Sequence, residues 1–218
     1  MASPPFQRAR SPEHKILRRE AILAASARVA AREGVRQVTL AEIADEVGIH
    51  KSALLRYFQT REEIFLELAA RAWTDWAQQT SQALRRLTPG DADAAAATLA
   101  GGFAARPLLC DLIPHTALNL ERHASLDAVR AYKQTSLAAI ADVATALEVP
   151  LPELSARERE ELVSTVALLA GSMYQIATPP PPLAELYRAD PHLGHSLLDL
   201  SGRLTRAARV TIAGLLAT

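Results

Sequence analysis

Apolar residues recur at spacings of three and four along nearly the whole chain, and no segment alternates apolar and polar residues as a half-buried strand would. This pattern predicts an all-α protein. The first clear helix runs from about Lys15 to Glu33 and stops before Gly34, a residue suited to a left-handed helix cap. Residues 1–14, with three prolines among polar residues, are predicted to be a flexible arm.

Two short helices follow, joined by a turn at Gly48. Thr39 and Glu42 have the spacing of a capping box at the start of the first, and the second is predicted over His50–Tyr57. Two short helices joined by a glycine-containing turn are typical of a helix-turn-helix, whose second helix enters the major groove of DNA. The alternative is an ordinary helical hairpin with a solvated charged face.

Beyond residue 62 the pattern predicts further helices, the first opened by a second pair at capping-box spacing, Thr60 and Glu63. Two long amphipathic helices are predicted, from about Ser125 to Glu148 and from about Ser155 to Thr178. Prolines 179–182 predict a rigid break. The predicted breaks between the other helices lie at Pro107, Pro114, Pro150 and Pro152. A last helix is predicted to start at Asp190 and Pro191.

The composition narrows the class of protein. With 49% hydrophobic and 22% charged residues among 218, the chain has the balance of a globular protein, and no apolar run reaches the roughly 18 residues that span a bilayer. The N-terminus has basic residues but no apolar run after them, so a secretory signal is not predicted and a cytoplasmic location is expected. Cys110 is the only cysteine, which excludes an internal disulfide and a multi-thiolate zinc site.

Charge is distributed unevenly along the chain although the formal total is zero. Residues 1–61 hold eleven Lys or Arg against six acids, so this part carries +5 and the remainder −5. A basic N-terminal part suggests that it meets a polyanion and that the rest does not.

The second short helix combines inward apolar residues with polar tips that can face outward. Lys and Arg at such positions donate to guanine O6 and N7 or to phosphate oxygens. Arg61, in the first turn of the following helix, is placed to meet a phosphate together with that helix's free amides.

The run TLAEIADEVGIHKSALLRYFQTREEIFLEL, which begins at Thr39, resembles the DNA-binding domain of the TetR (tetracycline-repressor-like) family, with its pattern T-x-x-x-IA-x-x-x-GVS-x-x-x-LY-x-[HY]F-x-[ST]K-x-x-L. The resemblance implies an N-terminal three-helix helix-turn-helix domain over residues 15–61 and a helical ligand-binding and dimerisation domain over 62–218. It implies a homodimeric regulator, usually a repressor, which binds palindromic double-stranded operator DNA and is released by a small-molecule effector.

By the same resemblance, Thr39 caps the first short helix and touches a phosphate. The predicted DNA-binding residues are Thr39, His50, Lys51, Ser52, Ala53, Arg56, Tyr57 and Arg61. The sequence departs from the family pattern at three positions: Leu55 replaces a tyrosine, Ala53 a frequent threonine, and Arg61 a lysine. The first two departures remove possible phosphate or base contacts, whereas Arg61 keeps the charge.

The C-terminal part has no comparable motif, so its ligand site is predicted only from bulky or polar residues on apolar helices. The chosen candidates are Trp73, Trp76, Phe103, His115, Asn119 and Tyr174, from a wider group that also holds Cys110, Asp111, His123, Tyr132, Met173 and Gln175. His115 and Asn119, one helical turn apart, are the best polar pair for orienting a ligand. For each candidate the alternative is core packing or a solvent-facing position.

The apolar stripes of the last two predicted helices favour a symmetric dimer that pairs them in a four-helix bundle. The predicted interface residues are Val166, Leu169, Met173, Leu197, Leu200 and Leu204. The alternative is that these stripes only close the core of each monomer.

An enzyme is not predicted, and no cofactor is implied. The sequence has no glycine-rich phosphate loop, nucleophile elbow or HExxH motif. His192, His195 and Asp199 have spacings that could supply metal ligands, so a metal-responsive regulator, or a small helical enzyme, stays as the alternative. Surface histidines are the commoner explanation.

Overall fold

The structure is a computed structural model and describes residues 12–190, 192–193 and 199–217. These three ranges contain helices, turns and loops but no strand, so the prediction of an all-α protein is confirmed. The helices are α1 (Pro12–Glu33), α2 (Leu40–Val47), α3 (Lys51–Leu54), α4 (Arg61–Leu84), α5 (Ala92–Ala104), α6 (Pro107–His115), a π-helix (Thr116–Leu120), α7 (Glu121–His123), α8 (Leu126–Ala146), α9 (Ala156–Ala177), α10 (Pro181–Ala189) and α11 (Leu200–Leu216).

Helices α1 to α3 form the predicted helix-turn-helix arrangement around a buried apolar centre. Both halves of the capping box are present in α2: Glu42 N donates to Thr39 Oγ1 at 3.3 Å, and Thr39 N donates to Glu42 Oε2 at 2.7 Å. The helix ends at Gly48, whose φ of 71° lies in the left-handed region. Ile43 of α2 and Leu54 of α3 are fully buried in the core. Their burial fixes the angle between the two short helices.

Helix α4 connects the two parts of the protein. Thr60 caps it by accepting a hydrogen bond from Glu63 N at 3.2 Å, which confirms the predicted start. Close to its middle α4 is tied to α1, since Arg71 forms an ion pair with Glu20 at 2.5 Å. The helix α8 packs along α4, and one apolar core continues from the helix-turn-helix into the C-terminal helices. A displacement of α4 would therefore reach both parts.

The C-terminal part is built on α4 by the later helices. Helix α9 packs against α6 and α8, and α11 lies against α5 and α9. No single helix of the described ranges is long and apolar enough to cross a membrane, although two bent pairs, α5 with the segment Pro107–His123 and α9 with α10, satisfy length and composition together.

Pro114 does not separate two helices as predicted. It lies inside α6, and the chain continues from His115 into the π-helix. A proline inside a helix lacks the N–H for the hydrogen bond to the residue four positions earlier, and its ring pushes that carbonyl away. A wider π turn directly after it lets the helical path continue.

The predicted start of the last helix is wrong. Asp190 instead ends α10, where its N donates to Leu186 O at 2.9 Å, and starts a local turn, in which its Oδ1 and its carbonyl accept hydrogen bonds from His192 N and Leu193 N, both at 3.1 Å. The helix α11 begins later, after Asp199, whose Oδ1 accepts from Gly202 N at 3.0 Å. Aspartate favours helix starts and local turns alike, so the sequence pattern does not distinguish the two sites.

Three other boundaries differ from the predictions. Helix α10 occupies the segment where prolines predicted only a break, because Pro181 and Pro182 stand at its first two positions, where proline is tolerated. Helix α1 begins at Pro12, so the last three residues of the predicted arm are helical, and residues 1–11 lie outside the described residues. Helix α3 covers only Lys51–Leu54 of the predicted second helix.

Candidate nucleic-acid interface

The recognition segment, residues 50–57, consists of α3 with its cap and the turn after it. His50 is the N-cap, and its Nδ1 accepts from Ser52 N at 3.3 Å and lies 2.8 Å from Ser52 Oγ. Beyond Leu54 the backbone continues as a tighter helical turn, in which Tyr57 N donates to Leu54 O at 2.8 Å. The helical path thus extends to Tyr57, although the α-helix ends three residues earlier.

The predicted DNA-binding side chains of the recognition segment differ in their exposure to solvent. Lys51, Ser52 and Arg56 are exposed, whereas Ala53 and Tyr57 are half-buried. Among the described residues neither Lys51 nor Arg56 has a hydrogen-bonding or ionic partner for its side chain. Their charges are free for an outside partner.

Thr39 is exposed, but its hydroxyl already takes part in the helix cap. Thr39 Oγ1 donates to Glu42 Oε2 at 2.8 Å, and this bond with that from the Thr39 backbone lowers the pKa of Glu42. A phosphate contact from Thr39 would compete with the cap.

Arg61 does not face outward as predicted. Its guanidinium donates to the carbonyls of Val35 and Val38, contacts Glu62 Oε1 at 3.1 Å and lies over the Phe65 ring at 4.7 Å. The side chain is only 15% exposed. An arginine at this position thus bridges both carbonyls of the loop before α2, and the predicted phosphate contact, which would compete with these bonds, stays a prediction.

Arg19 of α1 is a second internal cation, and sequence reasoning missed it. Its guanidinium donates to Tyr57 O at 2.8 Å, forms an ion pair with Glu67 and lies over the Phe58 ring at 4.0 Å. It thereby holds the end of the recognition segment against α1 and α4. Its partners are 38 and 48 residues away, so no local pattern points to them.

Asp111 connects the C-terminal part to the loop before α2. Asp111 Oδ2 accepts from Val35 N at 2.8 Å, and Oδ1 accepts from Gln175 Nε2, also at 2.8 Å. His115 Nε2 lies 3.6 Å from Oδ1, but burial lowers the pKa of His115 against the opposing charge of Asp111, which favours the neutral imidazole. The sequence identified Asp111 and Gln175 only as polar residues on apolar helices.

The aromatic residues predicted for the ligand site pack against each other. The ring centroids of Trp76 and Phe103 are stacked at 4.4 Å, and Trp73 meets Trp76 edge-on at 5.3 Å. All three are buried, and two clefts between α4 and α8 are lined by other residues. In this structure these aromatics form core packing.

Several polar atoms around this aromatic cluster have no hydrogen-bond partner. Among the described residues, the buried side-chain atoms of the C-terminal part that have neither a hydrogen bond nor an ion pair are Trp73 Nε1, Trp76 Nε1, Thr80 Oγ1, Ser81 Oγ, Asn119 Oδ1 and Arg159 Nε. Glu121 Oε1 also lacks a hydrogen bond, but it lies 2.9 Å from Lys133 Nζ. Gly102 adjoins two of them, because a Cβ there would lie 2.7 Å from Thr80 Oγ1 and 3.0 Å from Trp76 Nε1. The absence of a side chain at Gly102 leaves these groups room.

Within the part of the chain that the structure describes, no hydrogen bond or ion pair joins the predicted pair of His115 and Asn119. His115 faces Asp111, and Asn119 lies on the π-helix with its own Oδ1 buried and unpartnered. Tyr174 is half-buried, and burial with the nearby Asp111 and Cys110 raises the pKa of its phenol. Cys110 is buried and donates to Phe103 O at 3.3 Å, and burial with the Asp111 charge raises the pKa of its thiol to about 12, so it is an unreactive neutral thiol.

The residues predicted for the dimer interface lie in different environments. Val166 and Leu204 are fully buried within the single chain, so their assignment to an interface is corrected: they close the protomer core, where α9 and α11 pack together. Leu169, Met173 and Leu200 are partly exposed, and Leu197 lies outside the described residues.

The alternative metal site rests on His192, His195 and Asp199. His195 lies outside the described residues, and His192 and Asp199 are exposed. Within the described ranges no group of three His, Cys, Asp or Glu side chains is close enough to hold a metal ion.

A capped helix-turn-helix with free cations on its second helix, joined through one long helix to a helical C-terminal part, defines the class of one-component DNA-binding regulators. The chain belongs to the TetR family: the profile "Tetracyclin repressor-like, C-terminal domain" matches residues 70–218, and the profile "Bacterial regulatory proteins, tetR family" matches residues 22–68. This membership places it among transcription regulators and not among enzymes.

Solved structures agree with this fold. A transcriptional regulator from Rhodococcus sp. Rha1 is 20% identical, with a TM-score of 0.57 over 91% of this chain and 96% of that one. The fatty acid degradation regulator FadR from Bacillus halodurans is 13% identical, with a TM-score of 0.58 over 95% and 98% of the two chains. FadR from Thermus thermophilus, a TetR-family repressor in complex with lauroyl-CoA, is 17% identical, with a TM-score of 0.57 over 90% and 94%. No curated protein sequence matches this chain.

Proposed function

We propose that the chain is a ligand-responsive repressor that binds a palindromic operator as a homodimer, with residues 15–61 reading DNA and residues 62–218 binding an effector and the second protomer. The observation that supports DNA reading best is that Lys51 and Arg56 are exposed and unpaired on the recognition segment. Free cations on a helix that fits the major groove donate to base edges and phosphates. A dimer held on an operator would block a promoter.

The proposed dimer face uses the exposed apolar side chains of α9 and α11. Leu168 and Val210 are 65% and 67% exposed, and Ile176 is also exposed. Together with the partly exposed Leu169 and Met173 they form an apolar surface that a twofold would cover. Dimerisation belongs to the DNA-reading mechanism, because two recognition segments held about 34 to 36 Å apart read successive major grooves of a palindrome.

The proposed effector site lies among the unpartnered polar atoms of α4. Trp73, Trp76, Thr80 and Ser81 each leave a buried donor without a partner, and each such group costs about 1 to 3 kcal/mol. A ligand with an apolar body and hydrogen-bond acceptors would satisfy these donors. The lauroyl-CoA of Thermus thermophilus FadR belongs to that protein, and the low identity supports the fold alone.

The proposed route from effector to DNA runs through Asp111. Its carboxylate joins α6 and α9 to Val35, four residues before the cap of α2. A ligand that shifts α4 or α6 would displace this loop and with it the recognition segment. A ligand changes DNA affinity only by its preference for one of the two arrangements.

Selection of DNA fragments from the source genome with the purified protein tests the DNA-binding part of the proposal. We expect one palindromic sequence to be enriched. Lys51→Ala or Arg56→Ala should weaken its binding by about 1 to 3 kcal/mol if the side chain contacts a base edge. Enrichment of no sequence, or wild-type affinity of both variants, would overturn the proposed reading of DNA.

Sedimentation tests the dimer separately. Leu168→Glu combined with Val210→Glu should give monomers that lose operator binding, because a charge on each helix cannot be buried unpaired. Leu126→Glu, at another exposed leucine on α8, is the matched control and should stay dimeric. A double variant that remains dimeric would show that the interface lies elsewhere.

A further inference from the structure

A second basic feature lies beside the recognition segment. The N-terminal turns of α1 and the recognition segment enclose an open groove of about 670 Å³. Its lining residues are His14, Lys15, Arg18, Ile49, Ala53, Arg56 and Tyr57. The groove shares Arg56 with the recognition segment, so the two surfaces are continuous.

The cations of α1 fall into two groups according to their partners. Arg28 and Arg32 both pair with Glu46 of α2, at 2.9 and 3.0 Å, and Arg19 is held by Glu67. Lys15 and Arg18, by contrast, are exposed and have no hydrogen bond or ion pair with any described residue. They lie three residues apart and therefore on one face of the helix. The unpaired cations of α1 are thus the ones that line the groove.

We propose that this groove binds the sugar-phosphate backbone of the DNA whose major groove the recognition segment enters, with Lys15 and Arg18 as phosphate contacts. This inference rests on the proposed DNA-binding function. Free cations in a row that continues from a DNA-reading helix complement a phosphate backbone, which supplies much of the affinity of such complexes without carrying sequence information. The groove positions the protein on the duplex, and Lys51 and Arg56 read it.

Salt dependence of DNA binding separates this role from base reading. Each phosphate contact contributes about 0.9 to the slope of the logarithm of affinity against the logarithm of salt concentration. The variant Lys15→Ala/Arg18→Ala should therefore bind both a random-sequence duplex and the selected operator more weakly, by roughly tenfold or more, with a smaller salt slope on each. The ratio of the two affinities should stay that of the wild type.

The matched control is Arg85→Ala/Arg86→Ala, which removes the same charge from two exposed arginines at the far end of α4. It should leave affinity and salt slope nearly unchanged. Lys15→Arg/Arg18→Lys, which keeps both charges, should retain the wild-type slope. Thermal unfolding should be alike for all these variants, since the replaced side chains have no described partner.

Two results would overturn the proposal. One is a Lys15→Ala/Arg18→Ala variant with wild-type affinity and slope on both duplexes. The other is an equal loss of DNA affinity in the Arg85→Ala/Arg86→Ala control, which would show that the effect depends only on the net charge of the protein. A wild-type protein that binds no duplex at all would instead contradict the proposed function, so the two failures are distinguishable.

Discussion

In the helix-turn-helix part, the long polar side chains that enter the protein have several partners each. Arg61 reaches two backbone carbonyls, and Arg19 bridges the end of the recognition segment and α4. In the C-terminal part, a stretch of α4 that begins about three turns beyond Arg61 has four buried polar atoms, from Trp73 to Ser81, that have no hydrogen-bond partner among the described residues. The two regions share one apolar core yet differ in how their polar groups are satisfied.

The difference corresponds to two demands. A DNA-reading helix must be held at a fixed angle, because base contacts depend on direction as well as distance. A ligand site must keep hydrogen-bonding capacity in reserve, since buried polar groups in proteins are otherwise nearly all paired. We therefore expect substitutions of the bonded side chains in the helix-turn-helix part to lower the free energy of unfolding more than substitutions of the unpartnered polar groups of α4.

The largest effect is expected for Arg61→Ala. The change removes both carbonyl contacts, the ion pair with Glu62 and the contact with Phe65, and leaves buried carbonyls unsatisfied. We expect a loss of about 2 to 4 kcal/mol in the free energy of unfolding, measured by urea titration.

Arg56→Ala is the control for Arg61→Ala, since it removes an exposed arginine without a described partner and should stay within about 0.5 kcal/mol of the wild type. Arg61→Lys should recover only part of the loss, because an ammonium group cannot span both carbonyls in the same way. If Arg61→Ala were as stable as the wild type but bound DNA weakly, the residue would act on phosphate as its sequence position first suggested.

Asp111→Ala should have the next largest effect because it breaks the link between the two regions. Val35 N would lose its partner in a buried site, and the amide of the exposed Gln175 would lose its hydrogen bond as well. We expect a loss of about 2 kcal/mol. Asp93→Ala is the matched control: its ion pair with Arg209 is exposed, so it should cost less than about 1 kcal/mol. Equal losses in the two variants would remove Asp111 from the proposed route.

The fold and the recognition segment were predictable because their signals are local. Thr39 and Glu42 are three residues apart, and the apolar spacing that defines a helix repeats within one or two turns. The roles of Arg19, Arg61 and Asp111 depend on partners 23 to 76 residues away, which no spacing rule reaches. Exposure also escapes the sequence: the apolar pattern predicts both Val166 and Leu169 for an interface, and only the packing of the folded chain shows that Val166 is fully covered whereas Leu169 is partly exposed.

Two Thr→Val substitutions, each of which replaces a buried hydroxyl by a methyl group of similar size, compare a hydroxyl that has a hydrogen-bond partner with one that has none. Thr80→Val removes a buried hydroxyl that has no partner among the described residues and should raise the free energy of unfolding by about 1 kcal/mol or more. Thr116→Val removes a buried hydroxyl that donates to Ile113 O at 2.7 Å and should cost about 1 kcal/mol. Both are measured by urea unfolding. A larger loss for Thr80→Val than for Thr116→Val would contradict the assignment of unused hydrogen-bonding capacity to α4.

The smallest effect is expected for the pH dependence of His115. Burial, aided by Arg61 and Arg36, lowers the pKa of its imidazole, while Asp111 acts in the opposite direction, so the shifts partly cancel. A lowered folded-state pKa means that the unfolded chain binds the proton more readily. The stability that the neutral ring contributes is therefore fully present above the unfolded pKa of about 6.5 and is lost as the pH falls through the folded value.

Urea unfolding at pH 7.5 and 5.5 should show a smaller loss of the free energy of unfolding on acidification for His115→Gln than for the wild type. His14→Gln, at an exposed position of α1, should follow the wild-type dependence. Identical acid sensitivity of His115→Gln and the wild type would show that burial does not lower the pKa of His115 in the folded protein.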